Sequence, residues 1–440
     1  MKIAIVGAGI TGLVAGHELA KAGQQVTVYE HDDVPGGLTA SFAFPGKRLC
    51  RLYHHIFEHS RSTLGLLGEL GLAGDMEWYQ ARTGYYHGGR VHRLMTALDL
   101  LRFRPLSLPN RIRFGLGIAR ARRITDWRPL DARTATDWLT AIFGRRIYET
   151  MWEPLLRSKF GDAHTQVSAA WFWYKLHQRG GRKGRAERLG HLVGSFGRLP
   201  EALATAIGRL GGRVALATPL ERLAWDADGL AVTARPTRSA QAAEEHPRFD
   251  RVLVTAAPPV LLAAAPALPA AYREQLGAIE YLANLCVVLA LEHPITDMYW
   301  LNINDAGFPF NAVIGHTNLV PRERYLGHHV AYLTRYLPRD DPQYGESDDE
   351  LLDLYEPFLR RLAPSFQRAW VRNMYVFRSD FAAPLTPRGY ARRVPSMATP
   401  VAGLYLANMS QIYPEDRGID AGIALGREAA RRILADARPA

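Results

Sequence analysis

A chain of 440 residues is longer than one ordinary domain, so about two to four structural units are expected. With 48% apolar and 22% charged residues it has the composition of a globular protein with a large core, and no apolar run of about eighteen residues is present to form a spanning helix. The net charge of +11 rests on 54 basic residues, of which six are lysine and the last lysine is Lys183; this fits an anionic substrate or a membrane surface, while the lack of any nucleic-acid motif sets nucleic acid aside.

Lys2 to Val6 is nearly all apolar, as a strand buried on both faces should be. It leads straight into a glycine turn, so it reads as a strand and not a signal peptide, and the cytoplasm is the expected location. Gly7-Ala8-Gly9-Ile10-Thr11-Gly12 follows, then a helix from Leu13 to Lys21 that Gly23 stops, then a strand Gln25 to Tyr29 ending at Glu30. Strand, glycine turn, helix, strand and acidic residue within about 30 residues is the dinucleotide-binding pattern. Gly7 permits the tight turn, Gly9 lets the backbone approach a diphosphate, and Gly12 lets the helix pack on the strand. Ile10 and Thr11 lie in the turn and are expected beside the diphosphate, which the free N–H groups and partial positive charge of the following helix N-terminus favour. Glu30 is placed to accept hydrogen bonds from ribose hydroxyls.

Further along lies Pro35-Gly36-Gly37-Leu38-Thr39-Ala40-Ser41, and near the C-terminus Gly403 to Asn408 followed by Gly418-Ile419-Asp420-Ala421-Gly422-Ile423 and a helix through Ile433. Together with the first turn these resemble the fingerprints of the flavoprotein superfamily that includes protoporphyrinogen oxidase, phytoene desaturase and the amine oxidases. The resemblance implies FAD, held along Gly36, Gly37, Leu38 and Thr39, at Leu220, at Asn408, and at the N-terminus of the last helix, Gly418 and Ile419. Such a helix end stabilises negative charge on the pyrimidine ring of a reduced flavin. Gly194 to Pro200, a helix to Leu210, Gly211 to Val214, Thr218 to Leu223, and Arg251 to Pro258 match the family's return into the cofactor domain. Two departures are Leu38, where many members have arginine, and Asn408-Met409, where many have Gly-Asp.

The implied fold is α/β: a discontinuous Rossmann-like FAD-binding domain (1–84, 191–261 and 396–440), a helical cap (85–190) and a mixed-sheet substrate domain (262–395). Cap helices are expected over Leu94 to Phe103, Asn110 to Arg122, Thr134 to Phe143, Arg145 to Phe160 and Ser168 to Gln178. In the second insertion, strands are expected over Asn284 to Leu291, Tyr299 to Ile303, His329 to Tyr336 and Val371 to Phe377, with a helix from Asp349 to Leu362. Thr237 to Arg248 is polar and unperiodic, a hairpin or surface loop.

Catalytic candidates are His54 and His55, which follow the cofactor loop and either handle a proton or simply pack, and Tyr332 and Arg335, with His316 and Tyr336, on the substrate-domain segments. Trp171-Phe172-Trp173-Tyr174 either lines an apolar tunnel or packs into core. Phe103, Phe114, Leu116 and Ile118 interleave with Arg102, Arg104, Arg111, Arg113 and Arg120; they either dip into a lipid surface or form an amphipathic cap face. A peripheral position at the inner face of a membrane is the first of those readings. Cys50 and Cys286 are isolated and read as free thiols, and the adjacent pairs His54-His55 and His328-His329 point to opposite faces, so no metal is expected.

The implied chemistry is an FAD-dependent oxidoreductase taking a hydride from a hydrophobic substrate, of tetrapyrrole or isoprenoid type, with oxygen, quinone or another acceptor open. No lysine follows Lys183, which separates the chain from the true amine oxidases. Arg388 to Pro400 contains no cysteine, so the FAD is expected to be non-covalent. The alternative is a flavin-dependent isomerase resembling UDP-galactopyranose mutase and acting on a nucleotide sugar, since His54-His55-Ile56-Phe57 resembles a motif of that family.

Overall fold

The computed structural model describes residues 1–45, 47–178, 188–237 and 246–437. Five parallel strands form one sheet, in the order Arg213–Ala215, Gln25–Tyr29, Lys2–Val6, Arg251–Val254, Leu404–Leu406. Side chains alternate across it. Ile3, Ile5, Val26, Val28 and Leu253 pack beneath the helices Ile10–Lys21, Arg198–Arg209 and Ile419–Ala435. Ala4, Val6, Val252, Val254 and Leu406 face the opposite layer, the antiparallel strands Leu220–Asp226, Gly229–Ala234 and Arg248–Phe249. Both faces are covered, which is why these strands read as unbroken apolar runs. The polar stretch from Thr237 to Arg248 falls largely outside the described residues.

A second, seven-stranded sheet runs in the order Val371–Pro384, Tyr281–Leu291, His329–Leu337, Ala312–Gly315, Trp300–Ile303, Thr83–His87, Arg90–Arg93. Along Tyr281–Leu291, Leu285, Val287 and Leu289 face the helix Asp348–Leu362, and Cys286, Val288 and Ala290 face the cofactor half. The hairpin Thr83–His87/Arg90–Arg93 joins this sheet from the other end of the chain, where the sequence reading had no strand. Its turn is Gly88-Gly89, with φ of 60° and 71°, and both turn N–H groups donate to the Asp305 carboxylate at 2.7 and 3.0 Å.

The cap helices are Ala97–Arg102, Leu108–Arg123, Ala135–Phe143, Glu153–Phe160 and Ala169–Gln178. The single helix expected over Arg145 to Phe160 is instead interrupted by a wide turn at Tyr148–Trp152. Pro154 is the cause: it has no N–H for the Thr150 carbonyl four residues back, and Asn304 Nδ2 donates to that carbonyl instead, at 3.3 Å. Trp171, Phe172 and Trp173 are each only 6% exposed and sit in the cap core with Trp138, Phe143 and Trp152, so they pack and do not line a tunnel.

The interfacial face also differs from expectation. Phe103 and Phe114 are 2% and 7% exposed and belong to the cap core. The large apolar side chains that do face outward are Leu98, Leu101, Leu108, Ile112 and Leu116, at 49–57% exposure.

Candidate functional site

The glycine turn is built from backbone. Gly7 takes a φ of 107° and donates its N–H to the Tyr29 carbonyl at 2.8 Å. A Cβ on Gly12 would stand 2.0 Å from the Gly7 carbonyl oxygen, so nothing larger than glycine fits there. Gly9 is different: a Cβ would meet nothing within 4 Å, so the space beside it is open. Gly9 is also the N-cap of the helix Ile10–Lys21 and offers no side chain to its N–H groups.

The second loop docks on the first. The Gly36 N–H donates to the Ala8 carbonyl at 2.8 Å, and Gly36 forms a parallel bridge with Gly9. Gly36 and Gly37 take φ of 126° and 53°, and Thr39 closes this turn through its own hydroxyl, which donates to the Gly36 carbonyl at 2.7 Å. Leu38 is half-buried against the core between the two halves. The third element approaches from the far end of the chain. Gly422 and Gly426 let the helix Ile419–Ala435 close on Thr11, where a Cβ at Gly426 would lie 2.5 Å from the Thr11 carbonyl oxygen. The N-terminus of that helix, at Gly418, has no side-chain cap. Two uncapped helix ends, an open Gly9 and two interlocked glycine loops fit the diphosphate and sugars of a dinucleotide.

Glu30 is 4% exposed. One carboxylate oxygen accepts the Ala8 N–H at 2.6 Å, and the other accepts the Asp32 N–H at 3.0 Å and pairs with His31 Nδ1 at 2.6 Å. It therefore clamps the glycine turn. The Glu30 hydrogen bond raises the pKa of His31 above its ordinary value. The segment leading to Leu220 is tied to the same corner, with the Thr218 N–H donating to the Glu30 carbonyl at 2.6 Å.

Asn408 is turned inward. Its Oδ1 accepts Ser410 N–H and Oγ at 3.0 and 2.7 Å, and its Nδ2 donates to the Ala256 carbonyl at 3.0 Å. The amide thus serves mainly to hold the turn after the last strand. The second Nδ2 hydrogen is what is left for a cofactor.

Next to Gly418, side chains from distant parts of the chain converge. Arg417 Nε donates to the Tyr336 hydroxyl at 2.8 Å, and Tyr336 is hydrogen-bonded to Tyr53. Asp416 holds Lys159 Nζ at 3.1 Å and also pairs with Lys175. Both ammonium groups lie over Trp171, 4.5 and 5.7 Å from the ring centre. His54 Nδ1 donates to the Leu52 carbonyl at 3.0 Å, and burial with the nearby Arg417 charge lowers its pKa to about 4, so it is neutral at pH 7. His55 Nδ1 meets the Tyr299 hydroxyl at 3.0 Å.

Three candidates leave the site. Arg335 lies on the opposite face of its strand from Tyr336, because side chains alternate, and it anchors Asp341 at 2.9 Å and Gln343. Tyr332 is 1% exposed and its hydroxyl is spent on the Cys50 carbonyl at 3.0 Å. His316 is buried against Tyr325, whose hydroxyl lies 2.7 Å from Nε2. The sequence reading missed Arg417, Lys159, Lys175 and Asp416. Arg417-Gly418 adjoins a recognised helix start, which was the one local signal. Lysines early in the chain also reach this end, so the lack of lysine after Lys183 does not remove lysine from it. Among the described residues, His17, Glu18 and Glu69 lie close enough together to meet a metal ion, but Lys21 and Arg427 already neutralise both carboxylates.

The sequence pattern of the flavin-containing amine oxidoreductases matches residues 10–434. A curated relative, the flavin-containing monooxygenase iboF of Amanita muscaria (strain Koide BX008), is 61% identical over 36 residues, which are 8% of this chain and 7% of that protein. Solved structures share the fold across the whole chain. A provisionally assigned protoporphyrinogen oxidase from Exiguobacterium sp. 255-15 has 18% identity, 98% coverage of both chains and a TM-score of 0.76. Reduced UDP-galactopyranose mutase has 17% identity, coverage of 100% of this chain and 96% of that one, and a TM-score of 0.75. Putrescine oxidase bound to putrescine has 18% identity, 99% coverage of both and a TM-score of 0.67.

Proposed function

The chain belongs to the flavin-containing amine oxidoreductase family and is an FAD-dependent oxidoreductase; from that premise we propose that its FAD is non-covalent and its substrate largely apolar, of tetrapyrrole or isoprenoid type, taken up at a lipid surface. The observation that carries the substrate reading is the outward face of the cap. Leu98, Leu101, Leu108, Ile112 and Leu116 are exposed together on two neighbouring helices, and residues 94–124 carry seven arginines against Asp99 alone. Such a face suits anionic headgroups with apolar anchors between them. The cap core behind it is aromatic. Phe114 stacks on Trp152 at 5.3 Å, Trp152 meets Phe172 at 5.4 Å, and Phe172 meets Trp171 at 6.2 Å, beside Lys159.

Bound flavin supplies the redox chemistry, taking up a hydride or its equivalent. The protein's own residues bind and orient. Gly9 and the N-terminus of the helix Ile10–Lys21 would hold the diphosphate, the helix end at Gly418 would face the flavin ring, and Glu30 would hold a ribose. Tyr53 and Tyr336, whose pKa values burial raises, remain protonated phenols that donate or accept hydrogen bonds without charge. Neutral His54 beside Arg417 is available to hold a proton only below its lowered pKa, so it acts as an acceptor at pH 7. Burial raises the pKa of Cys50 and Cys286, so neither is a ready thiolate for a covalent flavin bond.

A second reading, an isomerase acting on a nucleotide sugar, is favoured by the cations around Asp416, which suit a diphosphate. Anaerobic incubation with candidate substrates separates the two. Stoichiometric bleaching of the flavin by a porphyrinogen or polyprenoid supports the oxidoreductase on an apolar substrate. Turnover of a nucleotide sugar with no net change in flavin oxidation state overturns that substrate reading.

A further inference from the structure

One side chain reaches the glycine turn from another strand. Thr255 follows Arg251–Val254, which lies parallel to Lys2–Val6 with Val254 opposite Val6. The Thr255 N–H donates to the Val6 carbonyl at 2.8 Å and so extends the ladder by one residue. The hydroxyl is a second donor at the same place. Its oxygen lies 3.0 Å from the Val6 carbonyl oxygen and 3.1 Å from that of Gly7, so one hydrogen is shared between two consecutive carbonyls, where the strand ends and the turn begins.

The turn is packed around this hydroxyl. A Cβ on Gly7 would stand 2.6 Å from Thr255 Oγ1, and a Cβ on Gly12 2.8 Å from it. Gly7 takes a φ of 107°, and its carbonyl oxygen lies against Gly12 in the first turn of the helix Ile10–Lys21. A carbonyl left without a donor in such a place is costly. A turn free to rotate that carbonyl would also swing Gly9 and the helix N–H groups off the diphosphate position. The backbone that carries the hydroxyl is itself held from the far side. The Ala407 N–H donates to the Val254 carbonyl at 2.9 Å, and Asn408 Nδ2 donates to the Ala256 carbonyl at 3.0 Å.

We propose that Thr255 is a positioning residue for the cofactor. Its hydroxyl fixes the Gly7 carbonyl, and through it the N–H groups at the start of the helix Ile10–Lys21, in the arrangement that receives a diphosphate. This rests on the FAD-dependent reading of the turn. Three substitutions separate the parts of the side chain. Serine keeps the donor and lacks the methyl group, alanine lacks the donor, and valine keeps the shape but sets a methyl group against two carbonyl oxygens.

The test uses the FAD-loaded protein. FAD affinity is read from the fluorescence of flavin released on dilution. ADP, which carries a diphosphate and a ribose but no flavin, is measured by its competition with FAD. Thr255→Ala should weaken FAD and ADP alike by about fivefold or more, the scale of one lost hydrogen bond. Thr255→Ser should stay within about twofold of wild type. Thr255→Val should be at least as weak as Thr255→Ala, and the alanine and serine pair decides alone if the valine protein does not fold. Thermal melts are followed in parallel. A lowered melting temperature in Thr255→Ala with wild-type affinity for FAD and ADP makes the hydroxyl structural only and overturns the proposal. Serine as weak as alanine overturns it too, by assigning the effect to the methyl group. FAD weakened with ADP unchanged also overturns it, because the effect then lies away from the diphosphate turn. A wild-type protein that holds no FAD overturns the cofactor reading itself.

Discussion

The glycine turn and the neighbourhood of Gly418 are made in different ways. At the dinucleotide end the contacts are backbone: Gly7, Gly9, Gly12, Gly36 and Gly37 shape two loops that bond to each other directly. At the Gly418 end they are side chains, brought by Tyr53, Lys159, Lys175, Tyr336 and Arg417 from four separate stretches. Backbone cradles depend on local conformation and tolerate little variation. Side-chain clusters depend on packing of whole elements and are free to differ between relatives of one fold.

The sharpest way to break this contrast is inside the glycine turn. Gly12→Ala puts a Cβ 2.0 Å from the Gly7 carbonyl oxygen and should prevent the cofactor domain from forming, seen as insoluble or unfolded protein. Gly9→Val meets open space on an ordinary φ of −70° and should fold, yet retain no FAD. Circular dichroism and flavin absorbance read both. Normal FAD content in Gly9→Val would mean that the open space is not the diphosphate position.

On the cap, Leu108→Ser/Ile112→Ser/Leu116→Ser should weaken binding to anionic vesicles by about 100-fold or more, since each buried aliphatic side chain contributes about 1.5 kcal/mol or more. Wild-type binding should also fall as salt rises, because the arginines act through screened charge. Phe114→Ser, in contrast, should destabilise the cap core rather than act on lipid. Absence of wild-type binding at low salt would leave the exposed face without a membrane role.

Acid should weaken the junction between the halves. Burial lowers His191 to about 4 and holds His316 well below its ordinary value. Between about pH 4 and 6.5 the unfolded chain binds protons that these native histidines refuse. The unfolded state thus holds more protons, so stability rises with pH across that window and is lost on acidification, by at most about 1.4 kcal/mol per pH unit for each histidine. Thermal melts from pH 7.5 to 5 should show the slope, and His191→Asn should flatten it. A slope unchanged by that substitution would remove His191 as a cause.

The smallest effect is expected at Glu30. Glu30→Ala removes one acceptor for a ribose and leaves the Ala8 N–H unpaired, for a loss of about 1–3 kcal/mol in FAD affinity by titration. A loss as complete as in Gly9→Val would mean that the clamp on the Ala8 N–H, and not a ribose contact, is what Glu30 supplies to the cofactor.

Much of the cofactor half was legible in the sequence because its signals are local. Glycine at positive φ, an apolar run buried on both faces, and an acidic residue closing the second strand all lie within one short stretch. The cap helices were legible in position but not in orientation. Phe103 and Phe114 share helices with Leu101, Ile112 and Leu116, and a mixed pattern of apolar residues and arginines does not say which apolar set faces inward. In the same way the strand expected over His329 to Tyr336 is observed as His329–Leu337, while the choice between Arg335 and Tyr336 turned on which face of it meets Arg417.

The sequence by itself determined the dinucleotide pattern and the order of strands and helix around it, because these follow from residue spacing and backbone preference; the expectation of two insertions came from the family resemblance. Tertiary structure alone decided that Lys159 and Lys175 of the cap would meet Asp416 and Arg417 near the C-terminus, and that Tyr332 and Arg335 would be spent elsewhere. Those outcomes depend on how separate layers pack, and the physical reason they were hidden is that charge and burial belong to the assembled neighbourhood and not to any one segment.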